Sequence, residues 1–105
     1  MPLAPSGFWE DLCFHAQQAA ELAIKAVYQH FRWKFAFVHD LQRLLNDLAA
    51  QGLSIPAAVR QADRLSVFAA QARYPGLTAP ATQAQYQDAV QIAETTLNWA
   101  DALVP

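Results

Sequence analysis

The chain has 105 residues, a length that supports one domain with a modest core. We predict this domain over 1–105, with its core at about 8–104. The net charge is −2. All seven Lys and Arg residues lie within 25–73, which excludes the extended basic surface of a strong non-specific nucleic-acid binder and predicts weak or no such binding. Charged residues make up only 15% of the chain, so we expect a partner to cover part of its surface.

The first predicted helix follows the capping residue Ser6 and runs from Phe8 to about Phe31. Acidic residues in its first turns are favoured there by the helix dipole. Apolar residues recur at helical spacing and predict one broad buried face, in which alanine predominates. This face consists of Phe8, Leu12, Ala16, Ala19, Ala20, Ala23, Ala26 and Val27.

The opposite side of this helix carries polar residues, so we expect it to face solvent. Its members are Gln17, Gln18, Glu21, Lys25 and Arg32. Glu21 and Lys25 are four residues apart, in the order that favours an ion pair on a helix. Phe14 and Leu22 also fall on the polar side, where a single chain would leave them exposed, and they indicate contact with another chain.

Two further helices are predicted in the middle of the chain. The second runs from His39 to Gln51, where Gly52 closes it. The third has Pro56 in its first turn, where proline needs no hydrogen bond, and it ends at 73–76. Helical spacing predicts that the third helix buries Ile55, Ala58, Val59, Ala62, Leu65, Ser66 and Ala69.

The last helix is predicted to start at the capping-box sequence 82–85 and to reach about Leu103. Its expected buried side comprises Tyr86, Ala89, Val90, Ile92, Ala93, Thr96, Leu97, Trp99 and Ala100. Four amphipathic helices with short connections predict an all-α fold, a four-helix up-and-down antiparallel bundle.

Cys13 is the only cysteine, so no internal disulfide can form and a reducing compartment is expected. The first residues show neither the basic stretch nor the apolar run of an export signal, and no segment reaches the length of a membrane span. We therefore predict a cytoplasmic protein that does not contact a membrane.

Catalytic and metal chemistry find little support in the sequence. The three histidines and the cysteine lack the spacings of a metal site, so neither a metal nor another cofactor is predicted. No Gly-rich phosphate loop exists, and no catalytic residue is predicted. A basic and aromatic set near the connectors could hold a nucleotide by charge pairing and base stacking, or could be an ordinary solvated rim. This set is Lys25, Arg32, Lys34, His39, Arg73 and Tyr74.

Three short motifs occur in order along the chain. Residues 14–21 read Phe-His-Ala-Gln-Gln-Ala-Ala-Glu and are followed by Lys-Ala at 25–26. Residues 39–41 read His-Asp-Leu, and residues 73–75 read Arg-Tyr-Pro. Together the motifs resemble the signature of the HEPN family, and the resemblance extends over about 8–104.

The resemblance implies a four-helix bundle that forms a homodimer with a cleft between the protomers. HEPN proteins commonly work beside a minimal nucleotidyltransferase, often as a toxin–antitoxin pair, so such a protein partner is expected here. With the matched motif residues carried over, the resemblance implies that a nucleotide would bind at Lys25, His39, Arg73 and Tyr74.

Many HEPN proteins are metal-independent ribonucleases that use an Arg-x(4–6)-His motif near the start of the last helix. This chain has no histidine after His39, so its last helix lacks the motif. Arg32 and His39 have six residues between them and satisfy the spacing in a different element. We therefore predict a non-catalytic HEPN-type domain. The alternatives are a ribonuclease toxin that uses Arg32 and His39 across a dimer cleft, and a purely structural assembly domain.

Overall fold

A computed structural model describes residues 8–35, 38, 40–73 and 81–104, with the side chains of 71–73 left aside. Four helices make up this part of the chain: α1 (Phe8–Phe31), α2 (Leu41–Ala50), α3 (57–73) and α4 (Gln83–Leu103). These residues contain no strand. The predicted all-α four-helix bundle is therefore confirmed, whereas the predicted cap at Ser6 lies outside the described residues.

α1 packs against all three other helices and most extensively against α4. The facing sides of α1 and α4 are rich in alanine, and these short side chains let the two helices approach closely. The buried alanines are Ala16, Ala20, Ala23, Ala89, Ala93 and Ala100. Larger side chains from α1, α2 and α3 fill the rest of the core: Ile24, Val27, Tyr28, Leu41, Leu44, Leu45, Leu48, Val59 and Leu65.

Both ends of α2 are set by local conformation. Asp40 is the N-cap, and its carboxylate accepts two backbone N–H groups of the first turn at 3.1 and 3.3 Å. α2 therefore begins at Leu41 rather than at His39, which itself lies outside the described residues. At the other end Gly52 has a φ of +101°, which glycine adopts without strain, and the predicted closure there is confirmed.

α3 changes geometry along its length. Its three consecutive stretches are α-helical Ala57–Arg60, 3-10 helical Gln61–Leu65 and α-helical Ser66–Arg73. A 3-10 helix has about three residues per turn, so residues three apart line up on one side. The buried side of α3 follows this spacing through Val59, Ala62, Leu65 and Phe68.

The prediction from regular α-helical spacing was therefore partly wrong in α3. Ala58, predicted to be buried, is exposed, and Phe68, which the spacing did not select, is buried. Pro56 occupies the N-cap position in an extended conformation rather than the first turn. The Ser66 hydroxyl accepts the N–H of Leu41 at 3.2 Å and joins α3 to the start of α2.

The predicted capping box at the start of α4 is confirmed. Thr82 Oγ1 accepts the N–H of Gln85 at 3.1 Å, and Gln85 Oε1 accepts the N–H of Thr82 at 2.8 Å. The preceding residue, Ala81, donates its N–H to Glu10 Oε1 at 3.0 Å. This last bond joins the first turn of α1 to the start of α4.

α1 ends in a left-handed turn at Arg32. The N–H of Trp33 donates to the carbonyl oxygen of Tyr28 at 2.9 Å, and the N–H of Arg32 donates to the carbonyl oxygen of Gln29 at 3.1 Å. This is the pattern of a Schellman motif. Arg32 has a φ of +59° at the position where glycine is usual. The backbone is strained there, because Cβ lies close to the neighbouring backbone in this conformation.

The Tyr28 side chain fixes α1 to α2. Its exposed fraction is 1%, and its hydroxyl donates to the carbonyl oxygen of Leu44 at 2.5 Å. Phe35 packs on the ring with 5.4 Å between the ring centroids. Burial, with a smaller contribution from the Asp47 carboxylate, raises the pKa of Tyr28 to about 12.

Tyr28→Phe should lower the free energy of unfolding at neutral pH by about 1 kcal/mol, because the buried hydrogen bond to Leu44 is lost. The pKa of Tyr28 in the folded chain lies above its unfolded value, so the folded state keeps a proton that the unfolded chain releases. This proton stabilises the fold below a pH of about 10, and the stabilisation is lost as the pH rises from about 10 to about 12.

Chemical denaturation of wild type and variant at neutral pH and near pH 11 measures this effect. The difference between the two proteins should be smaller at the higher pH, and an equal difference would contradict the assignment. Tyr86→Phe on α4 is the control, and at neutral pH it should change stability by less than about 0.5 kcal/mol.

Candidate functional site

Of the four predicted nucleotide-binding residues, the structure places the side chain of Lys25 alone. Arg73 is the last residue of α3, and its side chain is not described. His39 and Tyr74 lie outside the described residues. A common site for the four residues therefore stays a prediction.

Lys25 belongs to a polar group on α1, the Glu21 cluster, which consists of Gln17, Gln18, Glu21 and Lys25. Gln17 Nε2 donates to Glu21 Oε1 at 2.9 Å, and Lys25 Nζ lies 3.0 Å from Glu21 Oε2. Gln18 Nε2 donates to Gln17 Oε1 at 2.6 Å. The predicted ion pair between Glu21 and Lys25 is confirmed.

The outward orientation predicted for this side of α1 is wrong for Gln17 and Glu21. Gln17 is fully buried, and Glu21 is only 4% exposed. Cys13 and Ile24, their neighbours on the helix surface, are also fully buried, so the buried side of α1 is wider than its apolar residues alone predict. A buried carboxylate needs partners, and Gln17 and Lys25 both bind it.

Lys25 lies at the border between the Glu21 cluster and solvent. Its side chain is 18% exposed, and its ammonium lies 5.4 Å from the centre of the Phe35 ring, within the range of cation–π attraction. A cation beside an aromatic ring can hold the phosphate and the base of a nucleotide. Because the ammonium already neutralises Glu21, a bound phosphate would have to share it.

Cys13 is part of the core and offers no nucleophile. Its side chain is fully buried in α1. Burial raises the pKa of the Cys13 thiol, and the Glu10 carboxylate raises it further. Both effects disfavour the thiolate, which is the reactive form.

Within the described part of the chain, no three His, Cys, Asp or Glu side chains come together as a metal ion would require. Among the same residues, no helix is long and apolar enough to cross a membrane.

The family model of the HEPN domain matches residues 3–103, which is nearly the whole chain. The chain belongs to the HEPN family. The resemblance carried by the three sequence motifs is thereby confirmed. No curated protein and no solved structure matches the chain.

This HEPN domain exposes apolar side chains along α1 and α4. Leu22 is 65% exposed, as predicted, while Phe14 is half-buried. Phe8 and Leu97, both predicted to be buried, are 39% and 42% exposed. A shallow, mainly apolar groove runs between the two helices. Its lining includes Leu12, His15, Tyr86, Val90, Glu94 and Leu97.

Two features of the HEPN domain escaped the sequence analysis: the burial of Gln17 with Glu21, and the groove between α1 and α4. A polar residue at helical spacing gives no sign of burial until its packing is known. A groove between two helices depends on how those helices meet. The sequence did contain one signal for the exposed groove. Apolar residues such as Leu12, Ala19 and Leu22 recur outside the narrow stripe that one neighbouring helix can cover.

Lys25→Met should lower the free energy of unfolding by about 1–3 kcal/mol, because the buried Glu21 carboxylate loses the ammonium 3.0 Å away while the apolar stem is kept. Arg43→Met on α2 is the matched control. Arg43 pairs with Asp47 at the same sequence spacing, but at 4.0 Å and with both side chains more than half exposed. Its loss should lower stability by less than about 0.5 kcal/mol. Denaturation of both variants gives the comparison, and equal losses would rule out a stabilising role for the buried pair.

Proposed function

We propose that this HEPN domain is a non-catalytic homodimer that binds a nucleotide, docks a minimal nucleotidyltransferase, or does both, as one member of a toxin–antitoxin-type pair. The observation that carries the proposal is the exposed apolar side of α1 and α4. One protomer leaves Leu22 65% and Leu97 42% exposed beside an apolar groove. Covering such surface with a second chain removes it from water and stabilises the assembly.

The last helix supports a non-catalytic role. α4 contains no histidine, arginine or lysine, so it cannot supply the Arg and His of the ribonuclease motif. The ribonuclease alternative would instead use Arg32, which is exposed at the end of α1, and His39. No contact among the described residues favours that alternative, and it stays a hypothesis.

The surroundings of Lys25 support a nucleotide as the small ligand. The ammonium lies 5.4 Å from the centre of the Phe35 ring and is held by Glu21, so a cation for the phosphate is already in place. Arg73 ends α3, which packs against α1. The nucleotidyltransferase partner rests on the properties of the HEPN family and not on a contact in this chain.

Light scattering on the purified protein at micromolar concentration tests the dimer. We expect a mass twice that of one chain, because the apolar side of α1 and α4 is covered only in an assembly. A monodisperse monomer would contradict the proposal.

Calorimetric titration with ATP, and separately with GTP, tests the ligand. Binding heat that disappears in Lys25→Met and persists in Arg43→Met would support a nucleotide site at Lys25, with circular dichroism to show that both variants are folded. The absence of heat with both nucleotides in the wild type would contradict the nucleotide-binding part of the proposal.

A further inference from the structure

We propose that the second copy of this HEPN domain packs antiparallel along one outward stripe of α1, with the two-fold axis level with residues 17–18. The proposal rests on the homodimer proposed above and adds the surface, the direction and the residue pairs. The stripe, named here the α1 seam, consists of Phe8, Leu12, His15, Ala19, Leu22 and Ala26.

The α1 seam is a continuous side of the helix that the protomer covers only in part. Its members are separated alternately by four and three residues, the spacing of side chains that pack one helix along another. All six are exposed or half-buried, and five of them are apolar. With a rise of about 1.5 Å per residue, the seam is about 27 Å long.

The α1 seam is complementary in shape to the same seam of a second copy that runs antiparallel to it. In an antiparallel pair, Phe8 meets Ala26 of the second copy, Leu12 meets Leu22, and His15 meets Ala19. Two of these pairs join a large residue to a small one, and the third joins two leucines of equal size, so all three fill space well. A parallel pair would place His15 against His15 and Ala19 against Ala19, so one layer would be crowded and the other would leave a gap.

The residues along one edge of the α1 seam are complementary in charge. Asp11, Gln18 and Lys25 lie seven residues apart on that edge. In the antiparallel arrangement Asp11 of each copy faces Lys25 of the other, and the two Gln18 amides face each other and can exchange hydrogen bonds. Asp11 is exposed, and Lys25 keeps 18% of its side chain exposed while it binds Glu21. A carboxylate of the second copy can therefore reach the open side of the ammonium, where a nucleotide phosphate would have to share it.

The opposite edge of the α1 seam continues onto α4. Leu97 and Val90 line the groove together with Leu12 and His15, so the apolar surface passes from one helix to the other. A second α1 laid on the seam also covers this groove. A two-fold dimer requires a surface that is complementary to itself, whereas an unrelated partner does not. The self-complementary pairing of the seam therefore assigns this surface to a second copy.

Leu22→Glu tests the surface. A carboxylate on the seam of each copy should raise the dissociation constant of the dimer on the order of 100-fold or more, measured by analytical ultracentrifugation over a concentration series. Leu22 is 65% exposed in the protomer, so the fold should persist, and circular dichroism verifies this. Val67→Glu is the matched control. Val67 is 47% exposed in a different groove, between α3 and α4, and its variant should remain dimeric.

Disulfide trapping tests the direction. In a Cys13→Ala background, which removes the native thiol, the Leu12→Cys and Leu22→Cys proteins are oxidised separately and as a mixture. The antiparallel pairing predicts rapid covalent dimers in the mixture, each with one Leu12→Cys chain and one Leu22→Cys chain, and few in either protein alone. Covalent dimers that form as fast from Leu12→Cys alone would overturn the antiparallel arrangement.

Failure of the α1 seam and failure of the homodimer are distinguishable. A monomeric wild-type chain overturns both. A wild-type dimer that Leu22→Glu leaves intact overturns the seam and keeps the dimer. Loss of the dimer in Leu22→Glu but not in Val67→Glu, together with the mixed disulfide, supports the proposal.

Discussion

The packing of α1 against the other three helices is the constraint on which the rest of this HEPN domain depends. Its contact with α4 uses alanine on both sides, and these short side chains let the two longest helices lie close together. Near its end, Tyr28 fixes α1 to α2 through the hydrogen bond to Leu44. Once α1 is held in this way, the inward direction of its polar residues and the outward direction of Leu22 are both determined.

The buried carboxylate of Glu21 is a consequence of that packing. α1 turns the side that holds Gln17 and Glu21 toward the other helices, and binding by groups such as Lys25 and Gln17 makes an ionised carboxylate tolerable there. The pair adds no net charge to the interior, yet it fixes one ammonium at the surface beside Phe35. Lys25 would therefore link the stability of the bundle to the nucleotide binding proposed above.

Helix class, helix number and most helix ends could be predicted from the sequence, because they depend on amphipathic spacing and on capping residues such as Thr82 and Gly52. Burial was predicted less well. Glu21 is polar at a position that the bundle covers, and Leu97 is apolar at a position that it leaves open, so both depend on how complete helices meet. The candidate site was the least predictable part. Lys25 is placed by a regular helix, whereas the position of a connector residue such as His39 depends on tertiary packing that local pattern does not encode.

The change of geometry inside α3 determines which side of its last part faces the core. A 3-10 helix turns about 120° per residue and an α-helix about 100°, so over Gln61–Leu65 the difference amounts to about 100° of rotation and about 2.5 Å of added length. With regular α-helix across this stretch, Phe68 would rotate out of the core, and the Arg73 end would swing around the helix axis by the same angle. The five residues carry none of the family motifs, yet their geometry sets which side of the following α-helical stretch faces the core.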